Sequence, residues 1–333
     1  MKRVYFSETA EALKNIPNGT ILKTRRKTEE GGALPTERLE TWTEGKGAIE
    51  SFAVFPGIEV SLHRYAAERV RFRHAADGGV LAVNHCRAGR IGWHMRDGGT
   101  IYLGPGDLCI HSMDDCAESE IELPLGYYEG AAVAADLRAL AAGAPEILRE
   151  AGFDAREIYR RFCAGGSPFG IPSSASAEAA FSPLYAARGA MLVPYCKLKA
   201  IEVLLCIMGV QPAAGEITRY GSEQTELIKE IRNFLMENLD KRFTIEELSK
   251  KYLLNTSTLK AVFKAVYGQP VASYVRDRRM KLAAKLLSES GASVAEIARA
   301  VGYETQGKFT KAFKESAGET PAEYRRKQKW RSR

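Results

Sequence analysis

Thr244-Ile245-Glu246-Glu247-Leu248 … Leu259-Lys260-Ala261-Val262-Phe263 … Gly268 … Tyr274 is followed by Ser293-Val294-Ala295-Glu296-Ile297 … Phe309-Thr310-Lys311-Ala312-Phe313 … Gly318 … Tyr324, and the two stretches are one pattern written twice. Thr244/Ser293 and Leu248/Ile297 lie 49 positions apart, whereas Leu259/Phe309, Phe263/Phe313, Gly268/Gly318 and Tyr274/Tyr324 lie 50 apart. One residue is therefore inserted in the turn. Each copy opens on a capping box, Thr244…Glu247 or Ser293…Glu296, in which hydroxyl and carboxylate satisfy backbone donors at a helix start. A short helix, a brief turn and a second helix with apolar residues four apart then follow. In the second copy Gly302 can supply a positive φ in the turn. The outer face of the second helix is polar and basic: Ser257, Lys260 and Lys264 in one copy, Gln306, Lys308, Lys311 and Lys314 in the other. Each copy thus reads as a helix-turn-helix. One such hairpin would say little, because helical bundles are full of them; the repetition at fixed spacing is what is specific.

Between the copies, Val271 to Leu287 reads as one amphipathic helix with Gly291 as its stop. A rigid connector of this kind fixes the separation of the two outer helices, which could enter successive major-groove segments about 34 Å apart. Charge agrees with a nucleic-acid partner. The chain carries a net +7, but from Ser222 onward it has 23 Lys/Arg against 14 Asp/Glu, a net of +9, and the preceding residues carry a net of −2. The basic excess belongs to the C-terminal third.

These residues closely resemble the AraC/XylS family of bacterial regulators over roughly Glu226 to Lys327. The most specific run is Ser293-Val294-Ala295-Glu296-Ile297-Ala298 … Val301-Gly302-Tyr303 … Phe309 … Phe313-Lys314 … Gly318-Glu319-Thr320-Pro321-Ala322-Glu323-Tyr324-Arg325. The resemblance implies a sequence-specific transcription regulator, more readily an activator than a repressor, that works with RNA polymerase in the cytoplasm. It also implies base contacts from Ser257, Lys260 and Ala261 in the first recognition helix, and from Gln306, Gly307, Lys308 and Lys311 in the second. Two departures stand out. Leu253 occupies a turn position where glycine is frequent, and Ala261 and Gly307 stand where long polar side chains often reach bases. Readout then leans on Gln306, suited to adenine, and on Lys260, Lys308 and Lys311, suited to guanine acceptors. Lys264, Arg276, Arg278 and Lys314 suit phosphates, which position a protein without reading sequence.

The rest of the chain has a different texture. From about Ile49 to Ala135, short alternating runs (Ile58 to His63, Val80 to His85, Gly99 to Leu103, Leu108 to His111) recur with Gly and Pro between them, as in a small sandwich or barrel of half-buried strands. The turn Gly104-Pro105-Gly106-Asp107 resembles one found in cupin sensor domains. From Ala144 to Val210 the pattern is helical: Pro145 to Gly152, a helix from about Ala175, and one from Pro194 through Met208 with Leu198, Ile201, Leu204, Leu205 and Met208 on one stripe. Residues 165–174 read as a loop, and Gln211 to Gly215 as a linker. The expected fold is multidomain α+β: an N-terminal cupin-like β-barrel or sandwich with packed helices, then an all-α double helix-turn-helix domain. The expected divisions are a polar segment at 1–48, a sensor β domain at 49–143, a helical packing or dimerisation segment and linker at 144–215, and the DNA-binding domain at 222–328. The basic cluster Lys23, Arg25, Arg26 and Lys27 reads as solvated surface.

All five histidines (His63, His74, His85, His94, His111) fall in the N-terminal part. The HxH…Glu…His pattern of metal-binding cupins is absent, so no metal or cofactor is expected, although a metal- or haem-sensing regulator is the alternative reading. A small organic effector in an apolar pocket is favoured, with His63, His85, Trp93, His94 and Tyr102 as candidate lining residues. Packing helices beside such a domain suit a homodimer; a pure protein-interaction module is a further reading. Six scattered cysteines without a CxxC pair suggest reduced thiols, and no apolar run is long enough for a signal peptide or membrane span. A cupin-type enzyme with an appended DNA-binding domain finds no support, since no nucleophile with a base and no phosphate loop is present.

Overall fold

The computed structural model describes residues 9–28, 39–74, 79–94, 99–116, 118–165, 168–210 and 217–331; the Gln211 to Gly215 linker lies outside them. Contacts divide the chain into two compact units, Met1–Gly221 and Ser222–Arg333.

The first unit holds thirteen strands among the described residues: β1 (Thr20–Lys27), β2 (Glu40–Trp42), β3 (Lys46–Phe55), β4 (Ile58–Ala66), β5 (Arg69–Arg73), β6 (Val80–Gly89) and β7 (Ile91–His94). After these come β8 (Gly99–Leu103), β9 (Leu108–Ser112), β10 (Glu118–Glu122), β11 (Tyr128–Asp136), β12 (Phe169–Ile171) and β13 (Arg219–Gly221). They form two sheets. The larger runs β1-β3-β4-β11-β6-β9-β12 and the smaller β13-β8-β7-β10-β5-β2. Neither order closes on itself among the described residues, where the unit is two open sheets with helices. Strand alternation explains the layers. On the large sheet Phe52, Val60, Leu62, Val83, Ile110 and Val133 point one way, into a core shared with the helices. Ile49, Tyr65, Cys86, Cys109 and Tyr128 point the other way and meet Val70, Ile91, Ile101 and Ile121 of the small sheet. With both faces covered, β6 and β11 are buried almost throughout, unlike the half-buried strands that period-two alternation suggests.

Helices α1 (Leu137–Gly143), α2 (Glu146–Glu150), α3 (Ala155–Phe162), α4 (Ala175–Ala186) and α5 (Leu192–Met208) cover the large sheet. Asp136, Asp154 and Ser174 cap α1, α3 and α4 with side-chain oxygens. On α5 the buried residues are Leu192, Cys196, Ala200, Ile201, Val203, Leu204 and Ile207, with Ile201 and Leu204 from the expected stripe. Leu198, expected on the inner stripe, is 65% exposed. The stretch read as a loop contains β12, which pairs with β9. At the turn after β8, Asp107 Oδ2 accepts the Gly104 amide at 2.7 Å and Oδ1 accepts the Ser173 amide at 3.0 Å, tying this turn to the approach to α4.

The second unit is helical: α6 (Ser222–Glu237), α7 (Ile245–Tyr252), α8 (Thr256–Tyr267), α9 (Val271–Glu289), α10 (Val294–Ala300), α11 (Gln306–Ala317) and α12 (Pro321–Arg331). Helix α9 is the connector; it ends at Glu289 with Ser290 as its C-cap, and Gly291 follows.

Candidate nucleic-acid interface and ligand cavity

Both capping boxes form. The Glu247 amide donates to Thr244 Oγ1 at 3.1 Å while the Thr244 amide donates to the Glu247 carboxylate at 2.8 Å. Ser293 and Glu296 repeat this at 3.2 and 2.7 Å, and Thr320 with Glu323 builds a third box ahead of α12. These bonds hold the Glu247, Glu296 and Glu323 carboxyls below the usual range. Helices α7 and α8 form one helix-turn-helix, α10 and α11 the other. Gly302 carries the second turn with φ +75°, and Leu253 takes φ +53° in the first, so a leucine accepts there the left-handed conformation that glycine supplies in the other copy. Helices α8 and α11 are capped by Asn255 and Thr305 and end at Gly268 and Gly318, with φ +72° and +82°. The inward contacts repeat too. Phe263 meets Tyr274 edge-on at 5.5 Å and 81°, and Phe313 meets Tyr324 at 5.5 Å and 78°.

With those faces buried, the opposite faces of α8 and α11 are left to solvent. Ser257, Lys260, Ala261 and Lys264 on α8 are exposed, as are Gln306, Gly307, Lys308, Lys311 and Lys314 on α11. Two of them are engaged locally: Ser257 Oγ donates to the cap oxygen of Asn255 at 2.7 Å, and Lys308 pairs with Glu304 at 2.9 Å. On α9, Arg276 is exposed, while Arg278 is half-buried over the Tyr274 ring at 4.8 Å.

In the first unit a cavity of about 220 Å³ lies between the two sheets. His63 and Trp93 line it, but His85, His94 and Tyr102 do not. His85 is on the other face of the large sheet, stacked on Phe181 at 4.7 Å with its Nδ1 2.8 Å from Tyr185 Oη. His94 and Tyr102 join Thr100 and Glu122 on the small sheet: His94 Nδ1 is 3.0 Å from Thr100 Oγ1, and Tyr102 donates to Glu122. The cavity has residues that the sequence reading left out. Lys23 and Arg25 of β1 line it; Lys23, Arg26 and Lys27 are exposed, as a solvated basic cluster would be, whereas Arg25 is half-buried and pairs with buried Glu59 at 3.2 Å. Burial pushes the His63 and His111 imidazoles down to about 4, so both are neutral at physiological pH. Among the described residues no group of three or more His, Cys, Asp or Glu could hold a metal ion.

A family model described as a helix-turn-helix domain matches residues 248–327. The transposon Tn10 TetD protein of Escherichia coli is 32% identical over 106 residues, covering 32% of this chain and 77% of TetD. The chain belongs to the AraC family. The transcriptional regulator Rob of Salmonella typhimurium is 30% identical over 108 residues, 32% of this chain and 37% of Rob; the match thus spans little more than a third of that relative. Among solved structures, the C-terminal domain of the response regulator yesN from Fusobacterium nucleatum is 34% identical, covering 31% of this chain and 99% of that domain, with a TM-score of 0.29. The likenesses are to the second unit, which is an AraC-type DNA-binding domain.

That domain depends on residues which the repeat did not single out. Arg279 of α9 is 7% exposed; its guanidinium donates to the Lys241 carbonyl at 2.6 Å and the Gly302 carbonyl at 3.2 Å. One carbonyl precedes the first helix-turn-helix and the other lies in the turn of the second. Arg325 of α12 donates to the Ala292 carbonyl at 2.6 Å and binds α12 to the start of the second copy of the repeat. An arginine in the middle of a basic helix carries no sequence mark of such a role.

Proposed function

We propose that the protein is a sequence-specific transcription regulator whose two recognition helices, α8 and α11, read successive major-groove segments. The observation that carries this is the duplicated geometry: two capped, glycine-terminated helices 50 residues apart, each with an aromatic inner face and a lysine-bearing outer face. Gln306, Lys308, Lys311 and Lys260 contact base edges, with Ser257, Ala261 and Gly307 at the same surface. Lys264, Lys314, Arg276 and Arg278 contact phosphates. The first unit is a cupin-like sensor whose cavity takes a small effector. The protein acts in the cytoplasm as a homodimer and as an activator working with RNA polymerase; exposed Leu198 offers a second copy apolar surface. Effector binding alters transcription because the effector prefers one arrangement of the chain over another.

The test is selection of genomic fragments by the purified protein at near-physiological salt. A recurring motif supports the reading. Binding that falls steeply with salt and yields no motif contradicts it, since that is the behaviour of phosphate contacts alone.

A further inference from the structure

Tyr65 Oη and Trp93 Nε1 on the cavity wall are buried with no hydrogen-bond partner among the described residues; Arg25 Nε, the third such atom there, belongs to a guanidinium that is already paired with Glu59. Tyr65 is 1% exposed. A buried donor left unmade is destabilising, and the indole N–H can only donate. What completes this pair must therefore bring an acceptor. Several other polar groups of the wall are already engaged. His63 Nε2 is 2.8 Å from Ser61 Oγ, and Asn84 Nδ2 is 2.8 Å from His111 Nε2. The charges are engaged as well: Arg25 of β1 is paired with Glu59 of β4, and Lys23 donates to the Leu39 carbonyl. The walls themselves are flat. Tyr65 and Tyr128 are stacked at 6.1 Å, Phe72 meets Tyr65 edge-on, and Trp93 packs edge-on against His111 at 4.6 Å.

We infer that the cavity receives an uncharged, flat aromatic molecule bearing carbonyl or ether oxygens, which Tyr65 Oη and Trp93 Nε1 hold as hydrogen-bond donors. Aromatic faces offer offset or edge-on contacts to a ring. Tyr65 Oη and Trp93 Nε1 are neutral donors and reward a neutral acceptor, whereas a carboxylate would have to compete with Glu59 for the Arg25 guanidinium to regain what it loses in hydration. The inference rests on the effector-sensing reading above and names the chemistry of that site.

Calorimetric titration of the full chain with three two-ring probes tests it: coumarin, which is uncharged with lactone oxygens; naphthalene, which has no acceptor; and 2-naphthoate, which is anionic. Coumarin is expected to bind at least about fivefold more tightly than naphthalene, the ordinary net worth of one hydrogen bond. In Tyr65→Phe and in Trp93→Phe the ratio of the two affinities should shrink by about fivefold each. Taking the ratio cancels packing changes that touch both probes. Tyr65→Phe removes a hydroxyl with no partner, so the variant should fold with an unchanged or raised Tm. Equal affinity for coumarin and naphthalene overturns the inference. So does a ratio unchanged in both variants, tightest binding by 2-naphthoate, or no binding by any probe. Repeating the coumarin titration with the selected DNA motif present separates this from the reading beneath it. Coumarin binding that leaves DNA affinity unchanged supports the cavity chemistry and removes the coupling to DNA.

Discussion

Replacing Arg279 by Met should loosen the DNA-binding unit while leaving its exposed faces intact. The methionine keeps most of the apolar stem, so the change removes two hydrogen bonds and one charge. The guanidinium reaches the carbonyls of Lys241 and Gly302, and bonds from a charged donor contribute about 1.5–3 kcal/mol each. Relief of the desolvation that lowers the Arg279 pKa offsets part of that loss. The expected net cost is therefore about 2–4 kcal/mol. Gly302→Ala should damage the same contact from the other side. A Cβ there would stand 2.6 Å from the Arg279 guanidinium and 2.7 Å from the Asp240 carbonyl, in a backbone with φ +75°. The assay is urea-dependent hydrogen exchange, read on the amides of α8 and α11 in each single variant and in the double variant. Because the two changes share one contact, their costs should fall short of additivity by more than about 0.5 kcal/mol. A cost below about 1 kcal/mol for Arg279→Met, the net worth of one ordinary hydrogen bond, would refute the reasoning; so would additive costs in the double variant.

Three further outcomes follow from particular residues. Leu253→Gly should stabilise the first helix-turn-helix by about 0.5–1 kcal/mol, because it relieves a left-handed leucine that is 92% exposed and packs against little; a lower Tm for the variant would contradict this. Buried His85 and His111 both have imidazoles lowered to about 4 from 6.5, so the unfolded chain binds more protons between those values. Their stabilisation is complete above pH 6.5 and lost as pH falls toward 4, by about 2 kcal/mol per histidine between pH 7 and 5. Urea midpoints that stay flat over that interval would refute it. The Gln306→Ala/Lys308→Ala pair should cost about 1–3 kcal/mol of specific DNA affinity per lost base contact; an unchanged preference among DNA sequences would show that α11 does not read bases.

The second unit was legible in the sequence because its signals are local. Capping boxes, helix-ending glycines and the Phe263/Tyr274 and Phe313/Tyr324 pairs all act within a few turns of chain, and duplication made them stand out. The cavity was legible only in part, through His63 and Trp93, and strand alternation explains why. Alternation separates Val83 and His85 from Ala82 and Asn84, but it does not say which face meets the other sheet when both faces are buried. His85 thus read as a pocket residue and lies under the helices, whereas Asn84 beside it lines the cavity. Arg25 read as surface for a related reason. Its strand pairs parallel with β3, and its partner, Glu59, is 34 residues away. Arg279 escaped notice because nothing in a basic helix marks the one arginine that turns inward.

The most direct test of the account is a methylation-interference footprint of the full protein on its selected DNA motif. The account predicts interference at guanine N7 in two major-groove segments about 34 Å apart on one face of the duplex for each bound chain, with one segment lost in the Gln306→Ala/Lys308→Ala variant. Interference confined to a single segment, or a pattern unchanged in that variant, would contradict reading by paired recognition helices.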